Sequence, residues 1–261
     1  MPYANNNGVK IYYEVEGQGP PLVLASGSPG RMEGWRMRGY TEALREDFQL
    51  VLFNARGYGR SDKPRSPDAY GLNMADDVVA VLDNIGIEQA HYFGHSMGAQ
   101  VGFWLASRYA ERFLSFVFMG MSPYPETEAV ARARETGVQN LKILLADPPA
   151  YLLILEQQLG HPLSPVEKAE VLARDAEAEI ARTLATRHAP PLNDYELSNI
   201  SVPCLLVCGE IERFHAGAKE AASHIPHAKF VSLPGLDHLQ AFEQSDLVLP
   251  HVKKFLAEVN A

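Results

Sequence analysis

A serine between two glycines, in the segment Gly94-His95-Ser96-Met97-Gly98, is the part of the sequence best suited to covalent chemistry. An apolar run precedes it and a helix-like run follows, and in that context G-x-S-x-G is typical of a sharp strand-to-helix turn that exposes a serine hydroxyl. Strand and helix pass so close at such a turn that Gly94 and Gly98 stand where side chains have no room. We therefore expect Ser96 to be a nucleophile. The free N–H groups that begin the helix favour developing negative charge, so the amide of Met97 is predicted to donate to an oxyanion.

The rest of the sequence predicts the elements that would hold this turn. Short, nearly unbroken apolar runs are typical of strands buried on both faces of a mainly parallel sheet, and they occupy residues 22–25, 50–53, 90–93, 116–119 and 204–207. Apolar residues three and four apart predict helices at 35–46, 74–85, 97–109, 216–224 and 245–259. This alternation predicts an α/β fold with a mainly parallel central sheet flanked by helices.

Residues 122–200 interrupt the alternation, because they contain helix-like pieces and no convincing strand. A loop of that length would be unusual inside a compact domain, so a helical insertion explains the segment better. The sequence therefore predicts a core formed by residues 1–121 and 201–261, with a helical lid at 122–200. A separate helical domain is the alternative.

The chain resembles the α/β-hydrolase fold family, particularly its serine esterases, lactonases and cofactor-free haloperoxidase-like members. Besides the serine turn, the resemblance rests on Asn54-Ala55-Arg56-Gly57-Tyr58-Gly59-Arg60-Ser61, which is similar to the family's D-x-R-G-x-G-x-S turn. Asn54 stands where the family has Asp. The resemblance runs from about residue 9 to the last helix and is weakest across 122–200. We interpret the turn as scaffold, with Arg56 paired inside the protein.

The resemblance implies that His238 is the base that takes the proton from Ser96. It belongs to Gly235-Leu236-Asp237-His238, in a predicted loop before the last helix, which is where the family carries its histidine. Imidazole is well matched to this task near neutral pH. His95 adjoins the nucleophile, and strand alternation predicts that its side chain points the other way.

A carboxylate should orient that imidazole and stabilise its charged form. After the strand at 204–207 the family shows Gly-x-x-Asp, and this chain has Gly209-Glu210-Ile211-Glu212. Glu212 takes the aspartate position, in the family's chain order of serine, acid and histidine. Glu210 remains a competing candidate. Asp237 is too near His238 along the chain to reach its ring.

The second oxyanion donor is expected in the loop after the first central strand, Ala25-Ser26-Gly27-Ser28-Pro29-Gly30. The family carries histidine where Ser26 stands, but the donor is a backbone amide, here that of Ser28. Trp35, Met121 and Tyr124 are expected to bind substrate beside them. A pocket walled mainly by methionine and aromatic groups would favour an uncharged, apolar acyl or alkyl portion.

These residues predict a serine hydrolase that cleaves a small, largely apolar ester or lactone through an acyl-enzyme, with a triad of Ser96, His238 and Glu212. The same constellation cleaves carbon–carbon bonds or forms peracids in related families, so a carbon–carbon bond hydrolase or a perhydrolase of haloperoxidase type is an alternative. A receptor that kept the fold and lost turnover is a hypothesis of another class.

Composition limits the partners. The 261 residues include 32 acidic and 23 basic side chains, and the formal net charge of −9 would repel phosphate backbones and anionic lipids. We expect a small-molecule substrate, no nucleic-acid or membrane partner, and no metal or organic cofactor. Cys204 and Cys208 stand two pleats apart on one predicted strand, roughly 13 Å, which excludes a disulfide between them. Free thiols and the lack of a signal-like N-terminus predict a cytoplasmic protein, and the sequence leaves a homo-oligomer open.

Overall fold

A computed structural model of the chain describes residues 2–28, 30–185 and 190–261. At its centre is an eight-stranded sheet in the order β1-β2-β4-β3-β5-β6-β7-β8. β2 pairs antiparallel with both of its neighbours, β1 and β4, and the other neighbouring strands pair in parallel, which confirms the mainly parallel sheet. The strands are β1 (Tyr3–Asn6), β2 (Val9–Glu16), β3 (Pro21–Ala25), β4 (Gln49–Phe53), β5 (Ala90–His95), β6 (Phe113–Met119), β7 (Cys204–Gly209) and β8 (Lys229–Leu233).

Helices cover both faces of this sheet. They are α1 (Glu33–Met37), α2 (Tyr40–Leu44), α3 (Asn73–Ile85), α4 (Met97–Arg108), α5 (Glu128–Ala146), α6 (Pro148–Leu159), α7 (Pro165–Leu172), α8 (Ala176–Ala185), α9 (Asp194–Ser198), α10 (His215–His224), α11 (His238–Glu243) and α12 (Ser245–Val259). Within the described ranges, none of them combines the length and the apolar composition that a bilayer span requires.

The central strands are apolar on both sides because each side faces its own hydrophobic cluster. Along β3, Leu22 and Leu24 pack into the cluster that includes α12, whereas Val23 and Ala25 pack into the cluster that includes α3 and α4. This two-sided burial is the physical reason that the strands appear in the sequence as continuous apolar runs.

Two local predictions need correction. The helix expected at 35–46 is divided into α1 and α2, because Gly39 adopts φ 76°, a left-handed conformation that ends the first helix. His238 was expected in a loop, but it is the first residue of α11. Asp237 begins that helix as its cap, accepting hydrogen bonds from the amides of Leu239 and Gln240.

In the described part of residues 122–200 all regular structure is helical, from α5 to α9. Side-chain caps begin these helices: Thr127 accepts from the amide of Val130, and Ser164 forms a capping box with Glu167. A small apolar cluster of their own, which includes Leu141, Leu144 and Tyr151, lies apart from the two clusters against the sheet. We call α5–α9 the inserted helices.

Candidate active site

Ser96 forms the turn between β5 and α4, at the carboxyl end of the sheet. Its backbone has φ 52° and ψ −114°, a conformation that residues other than glycine rarely adopt. A Cβ at Gly94 would lie 2.5 Å from the carbonyl carbon of Gly98, and one at Gly98 would lie 2.0 Å from the carbonyl oxygen of Ala25. The two glycines therefore let strand, helix and β3 approach closely enough to hold the strained serine in place.

The Ser96 hydroxyl lies 2.9 Å from Nε2 of His238. On the other side of the ring, Nδ1 is 3.4 Å from Oε1 of Glu212. A carboxylate only accepts, so Nδ1 carries the proton and Nε2 is left as the acceptor for the serine hydroxyl. This is the tautomer that a general base for Ser96 requires.

Glu212 is held without contact with solvent. Its side chain has an exposed fraction of 0%, against 21% for that of His238. Its second oxygen, Oε2, accepts a hydrogen bond of 3.2 Å from the amide of Gly209. The buried carboxylate is therefore oriented by the end of β7 before it meets the imidazole.

The competing carboxylates lie elsewhere. Glu210 is exposed, and its Oε2 accepts a hydrogen bond of 2.9 Å from the amide of Gly235. Asp237 caps α11 with its side chain. Of the acidic candidates that the sequence left open, the structure brings Glu212 to His238.

The His238 ring packs against residues that sequence reasoning missed. Contrary to the prediction, the ring of His95 does not turn away: it stacks on His238 with a centroid distance of 5.0 Å. The ring of His95 also stacks on that of Phe242, with 4.0 Å between the centroids and 4° between the planes. Burial, and then the nearby His238, hold the pKa of His95 well below its usual range. His95 is thus a neutral aromatic support for the imidazole.

Cys208 is a free, buried thiol beside the acid. Burial raises its pKa, and the neighbouring Glu212 carboxylate raises it further. The thiol therefore stays protonated. No grouping of three or more His, Cys, Asp or Glu side chains suited to a metal ion occurs within the described residues.

The loop after β3 approaches the serine closely. A Cβ at Gly27 would lie 3.0 Å from Cβ of Ser96. The Ser26 hydroxyl donates to the carbonyl of Arg31 at 2.9 Å, so a serine holds this loop where the family has histidine. Within the described residues, neither the amide of Ser28 nor that of Met97 donates to a protein acceptor. Both predicted oxyanion donors are therefore available to a ligand.

A cavity of about 660 Å³ opens at Ser96. Four of the residues predicted beside the nucleophile line it, namely Ser28, Met97, Met121 and Tyr124. The prediction for Trp35 was wrong, because this side chain is fully buried in the core, edge-on to the ring of Phe93. The break at Gly39 makes α1 a short helix whose tryptophan packs inward.

The cavity wall also carries charged side chains that the sequence did not reveal. Arg134 of α5, Arg182 of α8 and Arg174, which lies between α7 and α8, line it. Arg134 pairs with Glu126. Arg174 makes two hydrogen bonds to Glu179, of 2.9 and 2.5 Å. These arginines belong to no local motif, and only the packing of the inserted helices over the sheet brings them to Ser96.

The turn at 54–61 is scaffold, as the sequence suggested. Arg56 forms a buried ion pair with Asp77, with hydrogen bonds of 2.6 and 2.5 Å. The carbonyl end of the Asn54 amide accepts a 3.0 Å hydrogen bond from the amide of Arg60. Asn54, at the family's aspartate position, thus accepts a hydrogen bond from the turn.

Comparison with known proteins agrees with this architecture. A family model described as alpha/beta hydrolase fold matches residues 20–147. A protein of Azorhizobium caulinodans named "Putative carbamate hydrolase RutD" is 30% identical over 220 residues, which cover 80% of each chain.

Solved structures of similar shape include an enol-lactonase from Burkholderia xenovorans LB400, with a TM-score of 0.78, 24% identity and coverage of 98% of this chain and 100% of the other. A thermophilic esterase from Thermogutta terrifontis superposes with a TM-score of 0.81 at 22% identity, covering 100% of this chain and 98% of the other. At this level of identity the likeness concerns the fold.

Proposed function

The chain belongs to the α/β-hydrolase fold family, and from this premise we propose that it is a serine hydrolase that cleaves an ester or lactone through an acyl-enzyme. The observation that carries the proposal is the line of hydrogen bonds from Ser96 through His238 to the buried carboxylate of Glu212. Each member of that line has the position and the hydrogen-bonding capacity that acyl transfer needs.

In the first half-reaction, the Ser96 oxygen attacks the substrate carbonyl while Nε2 of His238 takes its proton. Glu212 stabilises the imidazolium that results, because a charged carboxylate lies against Nδ1. The carbonyl oxygen becomes an oxyanion, and the amides of Ser28 and Met97 are the donors in reach of it. The imidazolium then protonates the leaving alkoxide, and Ser96 is left as an ester.

In the second half-reaction, water replaces the leaving group. His238 takes a proton from that water, the hydroxide adds to the acyl carbon, and the proton returns to the Ser96 oxygen as the acid departs. Ester, lactone and carbamate substrates share the carbonyl attack, so one constellation serves all three.

In this proposal, the inserted helices act as a lid over the active site. Residues from α5 and α8 line the cavity opposite the sheet, which is the arrangement that would exclude water from the acyl-enzyme and select the substrate. In this proposal, the core positions the reacting atoms and the lid chooses what reaches them.

A substrate screen on matched variants tests the function. Ethyl and aryl esters, lactones, aryl carbamates and dienoic diketones are offered to wild type, Ser96→Ala and Ser122→Ala. Ser122 also lines the cavity, but no base lies beside its hydroxyl within the described residues. We expect Ser96→Ala to lose at least ~10³-fold in kcat on every substrate that wild type cleaves, and Ser122→Ala to stay within about threefold. Equal turnover by Ser96→Ala would exclude the mechanism.

A further inference from the structure

Four of the seven charged side chains that the structure describes on the wall of the active-site cavity form ion pairs with one another. Glu126 is occupied by Arg134, and Glu179 by both hydrogen bonds of Arg174. Arg213 and Glu220 also line the cavity, but both are exposed to solvent. The remaining charged side chain on the wall is Arg182, which is not fully exposed.

Arg182 has no carboxylate partner among the residues that the structure describes. Its described hydrogen bond runs from Nη2 to the hydroxyl of Thr183, at 2.9 Å. Its Nε is buried and, within the described ranges, has no hydrogen-bond acceptor. The guanidinium lines the cavity with no described carboxylate to balance its charge, so a carboxylate on a ligand in that cavity is the natural complement.

The position of Arg182 relates this cation to the reacting carbonyl. Its guanidinium carbon lies 6.0 Å from the centre of the Tyr58 ring. The hydroxyl of Tyr58 is in turn 3.1 Å from that of Ser28, the residue whose amide is the predicted oxyanion donor. Arg182 therefore lies on the oxyanion-loop side of the cavity that Ser96 also lines.

We propose that Arg182 binds a carboxylate on the acyl portion of the substrate, so that the enzyme acts on monoesters of short dicarboxylic acids. This rests on the proposed function, because it assigns the substrate class of the same site. Guanidinium and carboxylate match geometrically as a two-fold hydrogen-bonded pair, and a partly buried pair of this kind is worth more than one in water.

The test compares esters that differ in one charge. Monoethyl esters of glutarate, adipate and pimelate are matched with esters in which a primary amide replaces the free carboxylate. The ratio of kcat/KM for the carboxylate ester over its amide is measured in wild type, Arg182→Gln, Arg182→Lys, Arg213→Gln and Arg132→Gln. Arg132 is a suitable control, since it is an arginine of α5 with a side chain that is 70% exposed and paired with Glu128.

We expect wild type to prefer at least one carboxylate ester, and Arg182→Gln to lower that ratio about 10- to 100-fold, mainly through KM. Arg182→Lys should retain part of the preference that Arg182→Gln loses, because lysine keeps the positive charge but cannot form the two parallel hydrogen bonds of a guanidinium. Arg132→Gln should leave the ratio unchanged. A ratio near unity in wild type, or one that survives Arg182→Gln, overturns the assignment, as does a preference that only Arg213→Gln removes.

A binding measurement separates this proposal from the reaction. The monoesters are titrated by calorimetry into Ser96→Ala and into Ser96→Ala combined with Arg182→Gln, where turnover plays no part. Tighter binding that depends on Arg182 supports the carboxylate site even if no ester is hydrolysed, and the missing hydrolysis then counts against the proposed function alone. Equal binding by the two variants overturns the site.

Discussion

The serine turn and the inserted helices are built in opposite ways. At the turn, backbone lies against backbone, and a single methyl group at Gly98 would lie 2.0 Å from a carbonyl oxygen of β3. In the middle of α5, a methyl group at Gly137 would meet no described atom within 4 Å. The first region fixes the reacting atoms through crowding, whereas the second shapes the cavity through long side chains and their ion pairs. In the proposed function, the reaction at Ser96 thus depends on backbone crowding at the turn, whereas the choice of substrate depends on the side chains of the inserted helices.

The largest effect is expected at Glu212, which belongs to the rigid region. Glu212→Gln keeps the shape of the side chain but removes the charge that stabilises imidazolium and selects its tautomer. We expect kcat to fall about 10³- to 10⁴-fold with a small change in KM. Steady-state kinetics of Glu212→Gln and of the neighbouring Glu210→Gln test this, and a loss of similar size in Glu210→Gln would show that the wrong acid was assigned.

Gly98→Ala tests the crowding itself. Neither the carbonyl of Ala25 nor the start of α4 can move away without disturbing the sheet, so the free energy of unfolding should fall by about 3 kcal/mol or more. Urea denaturation followed by circular dichroism measures it. A variant as stable as wild type would mean that the turn is looser than the contacts imply.

The burial of His95 beside the serine turn can be tested through the pH dependence of the free energy of unfolding. Burial holds the pKa of His95 below its value in the unfolded chain, so the unfolded state takes up a proton first as the pH falls below about 6.5. The resulting stability is present above that pH and is lost on acidification. His95→Gln should reduce this loss by at most ~1.4 kcal/mol per pH unit, since one proton is involved.

Urea denaturation of wild type and His95→Gln at several values between pH 7 and pH 5.5 provides the measurement. His161→Gln, a change at an exposed histidine, is the control. His91 is also buried with a lowered pKa, so the slope should diminish rather than vanish. An unchanged slope in His95→Gln would show that this ring titrates normally in the folded protein.

The smallest effect is expected in the inserted helices, and it has the opposite sign to that of Gly98→Ala. Gly137→Ala adds a methyl group in open space inside α5, where alanine favours the helix over glycine. We expect a gain of about 0.5–1 kcal/mol in the free energy of unfolding. A loss of stability here would contradict the view that this region is loosely packed.

The difference between the serine turn and the inserted helices also explains which features could be predicted from the sequence. The turn at Ser96 could be predicted because its signal lies in consecutive residues, with glycines at the two positions where side chains have no room. The order of serine, acid and histidine along the chain follows the order of the strands. The amide of Gly209 donates to Glu212, whereas that of Gly235 donates to Glu210, and residue spacing shows neither contact.

The sequence did not predict contacts that form only when elements distant along the chain pack together. The ring of His95 stacks on His238, the first residue of α11, and on Phe242 of the same helix. Trp35 of the short helix α1 lies in the core against the ring of Phe93, which is far from it along the chain. Arg182 reaches the cavity through the packing of α8, for which its own neighbourhood in the sequence gives no sign.

The most direct test of the central claim is to label the protein with a fluorophosphonate and to locate the label by peptide mass spectrometry. We expect stoichiometric modification of Ser96 in wild type, and a rate of labelling at least ~10³-fold lower in His238→Gln, since the base is then absent. An unlabelled Ser96 in folded protein, or labelling that is as fast without the imidazole, would contradict it.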